Sequence, residues 1–331
     1  MRYTAGGLST MLRRSFLRRV GLGAALVAAA QRSGPAAAQA ASGQAASGQT
    51  ASGQAVPAQA APAPAAPAPT AAARRVVSLG GTVTEIVEAL GATERLVGVD
   101  ASSLYPAAVR QLPQLGYYRN FGVEGVVSLR PELVLASDHA GPPQSLEQLR
   151  RLGIRVVAVP SGPTLDSLQQ GVETVAAALA LDERGRALTQ RIDTEVEQAR
   201  RAAAERGTRP RVLVLSSHTG KLQAAGRDTA ADALLALAGA QNLFTSATSY
   251  KPMAVEAVAA LAPDFIVTSP LSLPANGGLA AFIAQPGISA TPAARARRVI
   301  VIDDLLLLGF GPRIGLALRQ LQAGFAANGS N

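Results

Sequence analysis

Three aromatics and an arginine fall within five consecutive residues in Tyr117-Tyr118-Arg119-Asn120-Phe121, in a chain with only five tyrosines, seven phenylalanines and no tryptophan. Gly116 precedes the run and Gly122-Val123-Glu124 follows it. If this stretch is extended, Tyr117 and Arg119 point the same way, because side chains alternate along an extended chain. A guanidinium near a phenol favours the phenolate, and a phenolate is a hard anionic ligand suited to ferric iron. Other groups able to bind or polarise a ligand are scattered: His139, His218, Arg227, Lys251 and Arg313. The chain has no cysteine and two histidines. That excludes disulfides, thiol nucleophiles and thiolate metal sites, and leaves too few imidazoles for a histidine-rich zinc site.

The elements that must position these groups come from hydrophobic periodicity. Arg75–Leu79 is a short β-branched run. A helix capped by Thr82 or Thr84 follows to about Leu90, and Leu96–Val99 is the next strand. After the aromatic loop, the pattern predicts a helix near 124–129, a strand at 132–137, a helix at 145–152 and a strand at 155–159. Residues 165–206 read as two consecutive helices, the second long and charged on most faces. The pattern then restarts, with strands at 211–216, 264–269 and 299–303 and helices at 229–238 and 312–325. Strand-helix alternation of this kind makes parallel sheets.

The two halves repeat. Residues 123–137, a short helix, a proline and a strand, align without a gap on 255–269 at an offset of 132, and Tyr118-Arg119 then falls on Tyr250-Lys251. The fold class expected is α/β, with two Rossmann-like lobes joined by a long rigid helix and a ligand cleft between them. The boundaries follow: an N-terminal lobe at 74–182, an interlobe helix at 183–206 and a C-terminal lobe at 207–331. Two small hydrophobic cores and little hinge motion are expected of such a molecule. Ligands of open α/β sheets sit at the carboxyl ends of the strands.

The formal charge of +9 does not indicate a nucleic-acid partner. Residues 1–40 hold six arginines and no acid, which leaves 25 of the 31 basic residues against all 22 acids, a net of +3. Residues 1–40 read instead as a twin-arginine signal peptide: Arg13-Arg14-Ser15-Phe16-Leu17, an 11-residue apolar run from Val20 to Ala30, and a small-x-small site at Ala38-Gln39-Ala40. The run falls short of the roughly 20 residues that span a bilayer. Residues 41–73, Ala-Ser-Gly-Gln repeats followed by Ala-Pro alternation, read as a disordered linker.

The chain resembles the periplasmic haemin-binding proteins of bacterial ABC haem importers, within the two-lobed binding proteins for iron chelates and cobalamin. The resemblance rests on Arg75–Glu85, Leu104-Tyr105-Pro106, Gly116–Arg119, Leu129–Ser137 with His139–Pro142, Ala225-Gly226-Arg227, Tyr250-Lys251-Pro252 and Leu308–Arg313, in order over about 74–325. It implies a monomeric exported carrier that captures haem in the periplasm and delivers it to a membrane permease. Tyrosine is a known axial ligand of haem iron. The resemblance implies that Tyr117 ligates the iron with Arg119 beside it. The family usually has a non-aromatic residue between these two, where this chain has Tyr118, so Tyr118 is the alternative haem-binding tyrosine. The resemblance further implies His218 as a candidate second iron ligand, Arg227, Lys251 and Arg313 as candidate partners of the haem propionates, and Glu124 and Glu256 as one docking carboxylate per lobe for the permease. His139 reads as a loop cap. The same fold carrying an iron-siderophore or cobalamin is the nearest alternative. A hydrolase is a remoter one, because Ser217-His218 are adjacent but the sequence has no Gly-x-Ser-x-Gly elbow, Walker A or Gly-x-Gly-x-x-Gly motif.

Overall fold

A computed structural model describes residues 73–217 and 221–327. The signal peptide expected at 1–40, nearly all of the linker expected at 41–73, and His218 lie outside the described residues. The described residues fall within one compact unit.

The first lobe runs β1 (Val76–Leu79), α1 (Gly81–Ala89), β2 (Leu96–Val99), β3 (Gly116–Tyr117), β4 (Asn120–Phe121), α2 (Val123–Ser128), β5 (Leu133–Ser137), α3 (Pro143–Arg151), β6 (Arg155–Val159) and α4 (Leu165–Leu179). Helix α5 (Asp182–Arg206) follows. The second lobe runs β7 (Arg211–Ser216), β8 (Gln223–Ala225), α6 (Ala230–Leu237), β9 (Gln241–Asn242), β10 (Tyr250–Pro252), α7 (Val255–Leu261), β11 (Phe265–Thr268), α8 (Leu279–Ile283), α9 (Pro292–Arg295), β12 (Val299–Val301), α10 (Asp304–Leu308) and α11 (Ile314–Ala327).

Each lobe is built on a four-stranded parallel sheet of the same order. The first is β2-β1-β5-β6. In the second, β7 lies between β9 and β11, and β12 closes the edge. The second sheet adds antiparallel β8 and β10 at the end of β7. The central strands β1, β5 and β11 are buried along their length, as parallel strands covered by helices on both faces must be.

The repeat in the sequence is a repeat in three dimensions. Helices α2 and α7 both end in a residue with positive φ before a proline, Arg130 (φ 47°) and Ala262 (φ 44°), 132 positions apart. An arginine at or just before the first strand of each sheet caps that helix end. Arg75 donates to the carbonyls of Leu129 and Arg130 (2.6 and 3.2 Å), and Arg211 to those of Leu261 and Ala262 (3.0 and 3.3 Å). Cations suit the carbonyl-rich C-terminus of a helix.

The sequence led us to expect two separate small cores. One large apolar cluster instead runs through both lobes, from Val76 and Leu133 through Leu188 and Ile192 to Val212, Phe265 and Leu318, with one smaller cluster in each lobe. The reason lies in α5. Its charges leave a buried stripe of Leu188, Ile192, Val196 and Ala199, at the spacing of one helix face, and α4 and α11 both pack on this helix.

The start of α1 also differs from expectation. Its N-cap is Gly80 with no side-chain cap. Thr84 bonds with the hydroxyls of Ser78 and Ser103 instead, and Thr82 Oγ1 donates across the lobes to the carbonyl of Gly309 (2.7 Å).

Candidate functional site

A cavity of about 560 Å³ lies between the two lobes, within the usual range for small-molecule sites of roughly 300–1,000 Å³. Its wall is drawn from the ends of strands: Gly80 after β1, Ala101 and Ser102 after β2, Ser137 and His139 at β5, Ser161 after β6, Leu271 after β11 and Asp304 after β12. Val83, Leu104, Leu305, Leu308 and Phe310 make it apolar, and Asp228, Thr229, Ser249 and Tyr250 add polar groups from the second lobe.

Tyr117, Tyr118 and Arg119 all line this cavity. They are not in the extended stretch the sequence suggested. Gly116 pairs with Phe121 and Tyr117 with Asn120, so β3 and β4 form a hairpin that turns at Tyr118-Arg119. Gly116 enters it at φ 83°, a conformation that glycine adopts freely. The turn places the two tyrosines in different surroundings. Tyr117 is 48% exposed. Tyr118 is half-buried, and its Oη accepts a hydrogen bond from Arg119 Nε at 3.0 Å. The Arg119 guanidinium stands 5.2 Å from the Tyr118 ring centre, and the two tyrosine rings meet edge to face at 4.7 Å. Burial, followed by a hydrogen bond with the Tyr117 phenol, pushes the Tyr118 phenol above its ordinary pKa against the opposing pull of Arg119. Arg119 has no carboxylate partner among the described residues.

Asp100, which the sequence reading passed over, holds this arrangement in place. It is fully buried at the end of β2. Its carboxylate accepts from the backbone N–H groups of Gly80 (2.8 Å), Ser102 (2.9 Å) and Tyr118 (3.2 Å), and from the hydroxyls of Ser102 (2.7 Å) and Ser103 (2.9 Å). One side chain thus ties the β1–α1 loop, the β2 end and the hairpin together. The available signal was an aspartate just past a strand, followed by two serines, at the place where polar side chains bond to nearby backbone.

The remaining candidates divide. His139 lines the cavity; its N–H donates to Ser137 Oγ at 3.2 Å, and its Nδ1 lies 3.9 Å from Asp138. Arg227 and Lys251 are exposed and do not line the cavity. Arg313 does not line the cavity and is engaged within the protein. It pairs with buried Glu85, lies 3.4 Å from Asp303 and stacks 3.8 Å from the Tyr105 ring centre. Glu124 and Glu256 are exposed in the first turns of α2 and α7, the repeated helices. Ser217 is buried, with its Oγ donating to the Ser272 carbonyl (2.8 Å) and accepting from Asn276, which is a structural role rather than that of a nucleophile.

Tyr250, the repeat counterpart of Tyr118, faces the same cavity from β10. Its buried hydroxyl has no hydrogen-bond partner among the described residues, and burial drives its pKa far up. Asp304 Oδ1, on the cavity wall, is likewise buried and without a partner among the described residues.

A family model described as periplasmic binding protein matches residues 76–306. Among solved structures, the periplasmic heme-binding protein RhuT from Roseiflexus sp. RS-1, in apo form, is 40% identical, with a TM-score of 0.73 over 77% of this chain and 98% of its own. The uncharacterized ABC transporter substrate-binding lipoprotein YvrC of Bacillus subtilis (strain 168) is 27% identical over 253 residues, 75% of this chain and 78% of its own. A vitamin B12-binding protein of Yersinia pestis (strain Pestoides F) is 27% identical over 252 residues, 76% of this chain and 85% of its own.

Proposed function

The chain belongs to the periplasmic binding protein family, and on that premise we propose that it is the exported carrier of an ABC importer and captures haem in the cavity between its lobes. The observation that carries this reading is the hairpin, which presents an exposed tyrosine, Tyr117, to an apolar cavity beside a guanidinium with no carboxylate partner among the described residues. The phenol of Tyr117 gives its proton to solvent as its oxygen bonds ferric iron, and the neighbouring positive charge stabilises the resulting phenolate. The apolar wall of Val83, Leu104, Leu305, Leu308 and Phe310 suits the flat apolar face of a porphyrin. The heme-binding relative at 40% identity supports the same reading.

Glu124 and Glu256 are the proposed docking contacts with the permease, because exposed carboxylates stand at equivalent places in the two lobes. Export through the twin-arginine signal and residence in the periplasm belong to the same proposal. The relative described as a vitamin B12-binding protein makes cobalamin the second reading.

The test is a haemin titration followed by absorbance. Wild type and Tyr118→Ala should develop a Soret band and Tyr117→Ala should not. The opposite pattern would move the ligand to Tyr118. No band with haemin, together with binding of cobalamin, would favour the second reading.

A further inference from the structure

We propose that Tyr118 is a positioning residue: it mounts the Arg119 guanidinium beside Tyr117, and so sets how firmly Tyr117 holds iron. The inference rests on the haem reading above. Tyr118 is fixed at three points. Its N–H donates to Asp100 Oδ2 at 3.2 Å, its carbonyl accepts from Gly141 N–H at 3.0 Å, and its ring packs on the second apolar cluster of the first lobe. From that mount, Oη takes Arg119 Nε at 3.0 Å while the ring lies 5.2 Å beneath the guanidinium. One donor and one face of Arg119 are thereby committed. Arg119 also interacts with the Tyr117 phenol, and Tyr117 lines the cavity with its ring 4.7 Å from that of Tyr118.

An arginine on an exposed turn otherwise samples many rotamers. A guanidinium already held in its fork geometry loses less freedom when it meets an anionic oxygen. Tyr118 thus acts through Arg119 and does not touch the iron.

The experiment is a double-mutant cycle on haem release, measured as haem transfer to excess apomyoglobin and accompanied by absorbance spectra of the ferric complexes. Tyr118→Phe keeps the ring and removes the acceptor. It should retain the Soret band, shift the phenolate-to-iron charge-transfer band, and release haem about 3- to 10-fold faster, the scale of one lost hydrogen bond. In an Arg119→Ala background the same change should alter release by less than about twofold, because coupled residues are non-additive. Tyr118→His, which restores an acceptor on a ring, should return the rate toward wild type and carries the test if Tyr118→Phe folds poorly. The inference is overturned if Tyr118→Phe matches wild type, if its effect persists undiminished without Arg119, or if it abolishes the Soret band. A wild-type protein that gives no Soret band would overturn the haem reading and this inference with it.

Discussion

Glu85 and Arg313 lie 228 residues apart and meet where the first helix of one lobe faces the last helix of the other. Glu85 is only 2% exposed, and its carboxylate takes Arg313 Nη2 while the guanidinium stacks on Tyr105. Close by, Thr82 Oγ1 bonds the Gly309 carbonyl, so two side chains of α1 hold the loop between α10 and α11. Gly311 lies against this pair, where an added Cβ would fall 2.8 Å from Glu85 Oε2.

The two halves of this ion pair should respond differently to mutation. Arg313→Ala strands a buried carboxylate and should cost about 3 kcal/mol or more. Glu85→Gln removes the buried charge itself and should cost under about 1.5 kcal/mol. Burial raises the Glu85 pKa above 4.5; nearby Asp303 and Glu88 raise it further, and Arg313 only partly opposes the shift. A carboxyl raised in this way binds more protons folded than unfolded. Its contribution to stability is fully present below pH 4.5 and is lost as pH rises through the folded pKa. Wild type should therefore gain on Glu85→Gln as pH is lowered toward 4.5. Thermal melts of both proteins across that window check the sign.

Asp100 accepts five hydrogen bonds from three segments of the site. Asp100→Ala leaves those donors without their acceptor and should destabilise the fold by at least about 3 kcal/mol. Because one of them is the Tyr118 N–H, haemin binding should weaken even at temperatures where the variant stays folded. Denaturant unfolding and a haemin titration on the same sample separate the two effects.

Arg75 and Arg211 cap equivalent helix ends in the two lobes. Each changed to Ala should cost about 1 kcal/mol, and the double variant should show the sum, because the sites share no partner. A cost confined to one lobe in chemical denaturation would show that the pseudo-symmetry does not extend to energetics.

Haemin that binds only the folded chain should stabilise it by about 2.7 kcal/mol at a hundred times the dissociation constant. For a domain of this size that corresponds to a rise in Tm of about 5–10 °C. The rise should vanish in Tyr117→Ala.

Glu124→Ala and Glu256→Ala should leave the haemin spectrum unchanged, because both carboxylates are exposed and outside the cavity wall. Each should impair haem uptake through a reconstituted permease, and the pair together should abolish it. Normal uptake by the double variant would remove these residues from the docking surface.

Much of the scaffold was legible because its signals are local. The strand at 155–159 and the helix at Asp182–Arg206 follow from runs of β-branched residues and from helix-spaced apolar positions. The Thr229 cap and the Gly239 stop of α6 are where short-range rules place them. The short strands β3, β4, β8, β9 and β10 were missed. At two or three residues each they carry no periodicity, and they exist because a partner strand is nearby. The same limit applied within the site. Tyr117 and Arg119 were identifiable by type, but their direction depends on a hairpin that Asp100, 17 residues before Tyr117, holds in place.

The amino-acid sequence by itself determined the alternation of strands and helices, the duplication at an offset of 132 and the presence of a tyrosine-arginine pair. These are properties of neighbouring residues, written in spacing and composition. Only the tertiary structure decided that Tyr118 takes Arg119, that Glu85 takes Arg313, and that one apolar core runs through α5 into both lobes. Each of these depends on which surfaces become buried together, since burial makes a charge seek its partner and makes a helix stripe serve two sheets.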